Sequence, residues 1–342
     1  MEQMTFGRTG LRVSRTGFGC IPIQRITYEE STALLRKAYE CGITLFDTAN
    51  MYTTSEDRIG TALGDVRKDI VICTKSTAPT PETMMEHLEN SLTKLRTDYI
   101  DVYQYHLAPA VPQPGGDDWI YDCMLKAKQQ GKIRFIGITC HKLNIAKDAV
   151  ASGLFDTIQY PFSYLSTQEE MDLAKTCEEK NIGVLGMKAL CGGILKNARA
   201  AFAFLRQYKN ILPIWGIQKT QELDEFIAYE KNPPALDEAL KKVIEDDKAE
   251  LGPGFCRACG YCLPCPANIP IPMAARMEFL LGRMDVKGLL TPAWEENMKR
   301  IDNCTDCGHC KANCPYELDV TSLLKNHQKY FIQQLSLDRA RS

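Results

Sequence analysis

Over roughly the first two thirds of the chain, short apolar, β-branched runs alternate with longer segments whose apolar residues recur at helical spacing. The runs are "TGFGC" (16–20), "ITLFD" (43–47), "IVICT" (70–74), "IDVYQYH" (100–106), "IRFIGIT" (133–139), "DTIQY" (156–160), "IGVLGMK" (182–188) and "LPIWGI" (212–217), eight in all. Between them lie helical patterns such as "YEESTALLRKAYECG", "PETMMEHLENSLTKL" and "TQEEMDLAKTCEEK"; the first and last open with Thr or Ser near an acidic pair, a helix-start signal. Eight strand-helix units require crossovers that force parallel pairing. The pattern therefore predicts an α/β fold, a closed (β/α)8 barrel of the TIM type, over residues 1–235. An open doubly wound sheet competes, but the first strand-to-helix turn, "GFGCIPIQRITYEE", lacks the full G-x-G-x-x-G of a dinucleotide fold.

The pattern then changes. "KNPPALDEALKKVIEDDKAELGPGF" (231–255) supplies prolines, a charged helical stretch and a Gly-Pro-Gly break, so residues 236–255 read as a linker into a tail over 256–342. In that tail "CRACGYCLPCP" (256–266) and "CTDCGHCKANCP" (304–315) each carry four cysteines.

Charge narrows the partners. With 41 Lys and Arg against 43 Asp and Glu the chain is nearly neutral, and no long single-sign block marks a nucleic-acid or membrane tail. A small-molecule substrate is the expected partner. The N-terminal stretch "MEQMTFGRTGLRVSRTGFGC" has neither an apolar signal core nor the ~20 apolar residues of a membrane span, so a cytoplasmic location is expected. There thiols stay reduced, and the clustered members of the fifteen cysteines read as metal ligands rather than disulfides. The scattered ones, Cys20, Cys41, Cys73, Cys123, Cys140, Cys177 and Cys191, read as small hydrophobes.

Barrel enzymes keep their chemistry at the C-terminal ends of the strands. Asp47 ends the second run, Tyr52 follows in its loop, Lys75 stands just past the third, His106 ends the fourth and Gln159 lies at the end of the sixth. The first four make an acid-base group. A phenol titrates at roughly pH 10 when free, and an adjacent ammonium favours its ionised form. Tyr52 beside Lys75 is thus expected to act as a general acid or base nearer neutrality, with Asp47 keeping Lys75 charged and His106 orienting a carbonyl oxygen. The plainer readings are a buried Asp47–Lys75 pair that fixes two strand ends, and a core histidine at 106.

"LFDTANMY", "ICTKS" and "VYQYHL" resemble the three segments that carry the Asp, Tyr, Lys and His tetrad of the aldo-keto reductases, and "FGRTGLRVSRTGFG" resembles that family's N-terminal hairpin and first strand. The resemblance covers about residues 1–230. It implies hydride transfer from NADP(H) or NAD(H) to a carbonyl, with Tyr52 donating the proton. It also implies cofactor contacts: Thr139 and Gln159 to the carboxamide, Met187 where many members stack an aromatic ring on the nicotinamide, and Lys219 and Thr220 at the adenosine phosphate. Cys140 departs from the family's Asn. Glu222 stands near a frequent Arg and weakens the case for NADPH over NADH.

Cys304, Cys307, Cys310 and Cys314, followed by Pro315, form C-x2-C-x2-C-x3-C-P, the run by which bacterial ferredoxins hold a 4Fe-4S cluster. Cys256, Cys259, Cys262 and Cys265, followed by Pro266, repeat it with one residue fewer before the last cysteine. The tail resembles a small α-helical dicluster ferredoxin module interrupted by residues 266–303. By that resemblance the fourth cysteine of each run crosses over: Cys256, Cys259 and Cys262 join Cys314, while Cys304, Cys307 and Cys310 join Cys265. The rival occupant is zinc, usually held by separated C-x2-C pairs.

The reading is an NAD(P)H-dependent oxidoreductase coupled to two 4Fe-4S clusters. A redox partner protein is expected, since a hydride carries two electrons whereas a cluster moves one. A flavin is compatible, but no residue calls for it. The alternative from another class is an iron-sulfur electron-transfer adaptor whose barrel reduces no carbonyl.

Overall fold

The computed structural model describes residues 1–252, 254–283 and 288–341. It forms two compact units, one of Met1–Ala189 with Arg199–Asp237, the other of Leu190–Ala198 with Glu238–Ser342.

The first unit opens with an antiparallel hairpin, β1 (Gln3–Thr5) and β2 (Arg12–Ser14). Then come β3 (Gly17–Gly19), β4 (Leu45–Asp47), β5 (Val71–Ser76), β6 (Ile100–Tyr105), β7 (Ile133–Thr139), β8 (Thr157–Pro161), β9 (Gly183–Met187) and β10 (Ile211–Gly216). These eight close into a barrel in the order β10-β3-β4-β5-β6-β7-β8-β9, every neighbouring pair parallel. Each apolar run of the sequence supplies one strand, and closure removes the open sheet from consideration.

Polar residues set the helix starts. Thr27 and Glu30 form a reciprocal capping box before the helix Tyr28–Glu40, and Thr167 and Glu170 do the same before Gln168–Glu179. Each box satisfies two backbone N–H groups that the helix itself leaves unpaired. Inside the barrel, Leu45, Val71, Val102, Leu185, Leu212 and Ile214 pack with Met4, Phe6, Leu11 and Val13 of the hairpin segment, so the hairpin contributes to the barrel core. Gly137 on β7 has no room for a side chain: a Cβ would stand 2.4 Å from Thr157 Oγ1 and 2.8 Å from Gln104 Cγ.

The second unit is helical. It contains Glu238–Leu251, Ile271–Ala274, Met277–Arg283, Pro292–Lys299, His309–Ala312 and the long Val320–Arg341. The first of these lies in the stretch expected as a linker, and it buries Leu240, Ile244 and Leu251. Residues Leu190–Ala198, which follow β9, belong to this unit as well. No helix among the described residues is long and apolar enough to cross a membrane.

Candidate active site and cysteine cavities

Parallel closure places the ends of β4, β5 and β6 side by side, with that of β8 beyond β7, and the polar residues there form one network. Lys75 is 1% exposed and Asp47 3%. Lys75 Nζ donates to both carboxylate oxygens of Asp47 at 2.8 Å and also to Thr48 O. Gln159 Nε2 donates to Asp47 Oδ2 at 3.3 Å, and Gln104 Nε2 donates to Gln159 Oε1 at 3.0 Å. The missing side chain at Gly137 leaves space for Gln104 here. Tyr52, half-buried in the loop after β4, has its ring centroid 5.3 Å from Lys75 Nζ. His106 meets that ring edge-on, with centroids 6.0 Å apart and planes at 81°. The structure thus brings Asp47, Tyr52, Lys75 and His106 together, with Gln159 joined to them.

The electrostatics differ in one respect from the expectation for Tyr52. Burial pushes its phenol above the usual tyrosine range; Lys75 pulls it down, but Asp47 and Cys20 oppose that pull. The ammonium next to the phenol is already neutralised by Asp47, so its field does not bring the phenol toward neutrality. Tyr52 is held protonated, which suits a donor rather than a base. Burial opposes the Lys75 charge, yet Asp47, joined by Tyr52 and Cys73, outweighs it and the ammonium is retained. Burial, then the Lys75 charge, holds the His106 imidazole down to about 3, so it is neutral at ordinary pH. Its Nδ1 is buried and has no hydrogen-bond partner among the described residues.

Thr139 ends β7, buried, and Cys140 beyond it is buried with its thiol pushed up to about 12 by desolvation, an inert small hydrophobe. His141 follows, 4% exposed, and burial together with the charges of Lys188 and His106 holds it neutral. The sequence reading did not single out His141; its only signal is a place two residues past a strand end. Met187 ends β9 and packs against the barrel-interior cluster. Lys219 and Thr220 stand at the start of the helix Thr220–Lys231. There Glu222 Oε2 accepts from the Gln218 and Lys219 backbone N–H groups at 2.9 and 3.1 Å. The helix N-terminus already holds an anion.

In the second unit one cavity is lined by Cys256, Cys259, Cys262, Cys310 and Cys314. A second is lined by Cys262, Cys265, Cys304, Cys307 and Cys310. Cys314 therefore faces the cavity of the first run, and Cys265 that of the second. The sulfurs surround spaces: among the described residues no three His, Cys, Asp or Glu groups converge on a single metal-ion position. Five cysteines around each of two adjacent spaces, with only Asp306 and His309 as other metal donors in the walls, fit a cubane with one thiolate per iron better than a tetrahedral zinc.

Residues 15–203 match the model of the aldo/keto reductase family, and residues 255–319 match that of a 4Fe-4S dicluster domain. L-galactose dehydrogenase of Arabidopsis thaliana is 31% identical over 218 residues, covering 57% of this chain and 67% of that protein. An aldo-keto reductase of Bacillus subtilis, YhdN, is 30% identical over 215 residues, covering 57% and 64%. The chain spans about two thirds of the length of these relatives. Among solved structures, an aldo-keto reductase from Klebsiella pneumoniae in complex with NADPH superposes with a TM-score of 0.61 at 22% identity, over 72% of this chain and 95% of that one. One from Bacillus halodurans gives 0.61 at 21%, over 72% and 96%; at such identities the likeness concerns the fold. With the family matched over more than half of its length, the chain belongs to the aldo/keto reductase family of NAD(P)H-dependent oxidoreductases and carries a 4Fe-4S dicluster domain in its C-terminal region.

Proposed function

We propose that the barrel transfers a hydride between NAD(P)H and a small carbonyl substrate with Tyr52 as proton donor, and that the eight tail cysteines hold two 4Fe-4S clusters. The observation that carries the first part is the continuous contact from Asp47 through Lys75 to the Tyr52 ring, with neutral His106 at its edge. A bound nicotinamide supplies the hydride, and bound clusters supply one-electron carriers. Everything else falls to the chain's own groups.

Tyr52 keeps its proton until an oxygen with developing negative charge arrives, because burial holds the phenol protonated. Lys75 stays charged through Asp47 and stabilises the phenolate left behind. His106, neutral, directs the carbonyl oxygen by a hydrogen bond instead of competing for the proton. Thr139, Gln159 and Met187 flank the place assigned to the nicotinamide ring and its carboxamide. Lys219 and Thr220 are assigned to the adenosine side. There the Glu222 carboxylate makes a 2′-phosphate unwelcome, which favours NADH.

The cysteine grouping supports crossed ligation, with Cys256, Cys259, Cys262 and Cys314 on one cluster and Cys304, Cys307, Cys310 and Cys265 on the other. The hydride's two electrons both leave with the carbonyl, so the clusters, each a one-electron carrier, exchange single electrons with a separate partner protein, in a reducing setting such as the cytoplasm. No residue of the barrel requires a flavin.

The test compares the parent and Tyr52→Phe with NADH and NADPH against simple aldehydes. The parent should turn over. Phe fills the same space, so Tyr52→Phe should bind cofactor with nearly the parent's affinity while losing ~10^2 to 10^4-fold in rate. Turnover of the variant within a factor of about two removes Tyr52 from the mechanism. A parent that reduces no aldehyde with either cofactor favours the adaptor reading.

A further inference from the structure

Arg276 lies in the second unit, 5% exposed. Its Nε donates to Pro272 O at 2.9 Å, its Nη1 to Cys191 O at 3.3 Å and its Nη2 to Met273 Sδ at 3.6 Å. None of these partners is charged, and among the described residues no carboxylate pairs with it. Gly192, at φ 69°, leaves room beside the guanidinium, for a Cβ there would stand 3.0 Å from Nη1. An unpaired buried cation is penalised by several kcal/mol, so a nearby anion is the expected counterpart. Burial pulls the guanidinium down, and the thiol groups of Cys256 and Cys191 act in favour of its charge. Pro272 and Ala275, on the same stretch as Arg276, line the cavity of Cys256, Cys259, Cys262 and Cys314, and so does Arg257. The wall of the other cavity contains the exposed carboxylate of Asp306 and the exposed His309, and no Arg or Lys.

We propose that Arg276 is the counter-ion of the cluster held by Cys256, Cys259, Cys262 and Cys314 and makes it the more easily reduced of the two. The proposal rests on the two-cluster reading above. A cube with four thiolate ligands is an anion, and reduction adds a further negative charge. A fixed buried cation stabilises the reduced form, and a fixed carboxylate opposes it. Hydrogen bonds to sulfur occur on both sides: Ala258 N donates to Cys256 Sγ at 3.4 Å, while the Lys311 backbone and the Thr321 side chain act on Cys310. They do not separate the two sites; the full charges do. The first electron added to the unit rests on the Arg276 side.

The test is a redox titration of anaerobically purified holoprotein followed by electron paramagnetic resonance, with iron and sulfide counted first. The parent should show two one-electron steps, the higher one assigned to the cluster that Cys256→Ala removes. Arg276→Gln should move the higher step to more negative potential and leave the lower in place. Arg276→Lys should restore it. Asp306→Asn, a surface change that does not touch the Arg276 packing, should move the lower step upward and holds the test open if Arg276→Gln fails to fold. Two clusters with unmoved steps overturn the proposal alone, as does a shift that Arg276→Lys fails to restore, which would give Arg276 a packing role. Fewer than two clusters overturns the two-cluster reading and the proposal with it.

Discussion

Two buried ion pairs in the barrel use the same chemistry at different strand positions. Asp101, next to the start of β6, accepts from Arg67 at 2.8 Å, from Arg134 at 2.7 Å and from the Ile72 N–H at 3.0 Å, so both its oxygens are engaged by groups that hold strands. Asp47, at the end of β4, faces Lys75, whose ammonium stands beside the half-buried Tyr52 ring. The second pair is therefore the one that substitutions should expose in a pH profile. Lys75 lowers the Tyr52 phenol, against burial, Asp47 and Cys20. Lys75→Met should then raise that phenol further, and any alkaline limb of turnover due to Tyr52 moves to higher pH while the rate falls. An alkaline limb that stays in place detaches Lys75 from the phenol. Removing Lys75 alone strands a buried carboxylate, at a cost of ~3 to 5 kcal/mol. The double variant Lys75→Met with Asp47→Asn should resist urea better than Lys75→Met alone. His106 carries a second pH signature. Its folded-state value of about 3 lies below the unfolded ~6.5, so its contribution to stability is complete above pH ~6.5 and is lost as pH falls toward 3. Replacing it with Gln, which does not titrate, should flatten the loss of stability over that window in acid denaturation curves.

At the scale of elements, the eight strands were legible because a barrel strand is buried on both faces, and a continuous apolar, β-branched run is the signature of that burial. The tetrad was legible for a related reason: a charged or polar side chain at the end of such a run has few structural uses. Of the Gln104–Gln159–Asp47 chain, Asp47 and Gln159 were legible and Gln104 was not. Gln104 lies inside "IDVYQYH", and what opens its place is Gly137 on the neighbouring strand, a pairing that no local pattern announces. Gly137→Ala should destabilise the protein by ~1 to 3 kcal/mol through overpacking against Thr157 and Gln104, read as a lower urea midpoint. A midpoint equal to the parent's would mean that Gln104 can yield. Leu190–Ala198 escaped the sequence reading because its partners, Arg276 and Arg283, are distant in sequence. The proposed cofactor preference rests on the helix Thr220–Lys231. Glu222 takes the N–H groups that would otherwise meet a phosphate. Glu222→Gln keeps an acceptor but removes the charge, so the affinity ratio of NADPH to NADH should rise several-fold; an unchanged ratio would clear Glu222 of discrimination.

At the scale of the whole chain, the tail poses the question that spacing alone leaves open, namely which cysteines share a cluster. Three thiolates held on closely spaced residues can meet three corners of one cube, after which the chain turns away. The first run reaches its fourth cysteine one residue sooner than the second, so spacing alone does not say where Cys265 goes. In the structure Cys265 lines the cavity of Cys304, Cys307 and Cys310, and Cys314 that of Cys256, Cys259 and Cys262, the arrangement on which the proposed crossing rests. Cys262 and Cys310 line both cavities, so the two sites are neighbours and reduced clusters in them should couple magnetically. Crossed ligation then makes an unusual demand on single substitutions. Cys265→Ala should damage the cluster whose other ligands lie 39 or more residues away, at Cys304 and beyond, and should spare the one formed by its own run. In electron paramagnetic resonance of the reduced protein, Cys265→Ala and Cys304→Ala should leave the same surviving, uncoupled signal. Cys314→Ala and Cys256→Ala should share the other. If Cys265→Ala instead reproduces the spectrum of Cys256→Ala, each run holds its own cluster, and the cysteines lining the two cavities no longer describe the ligand sets.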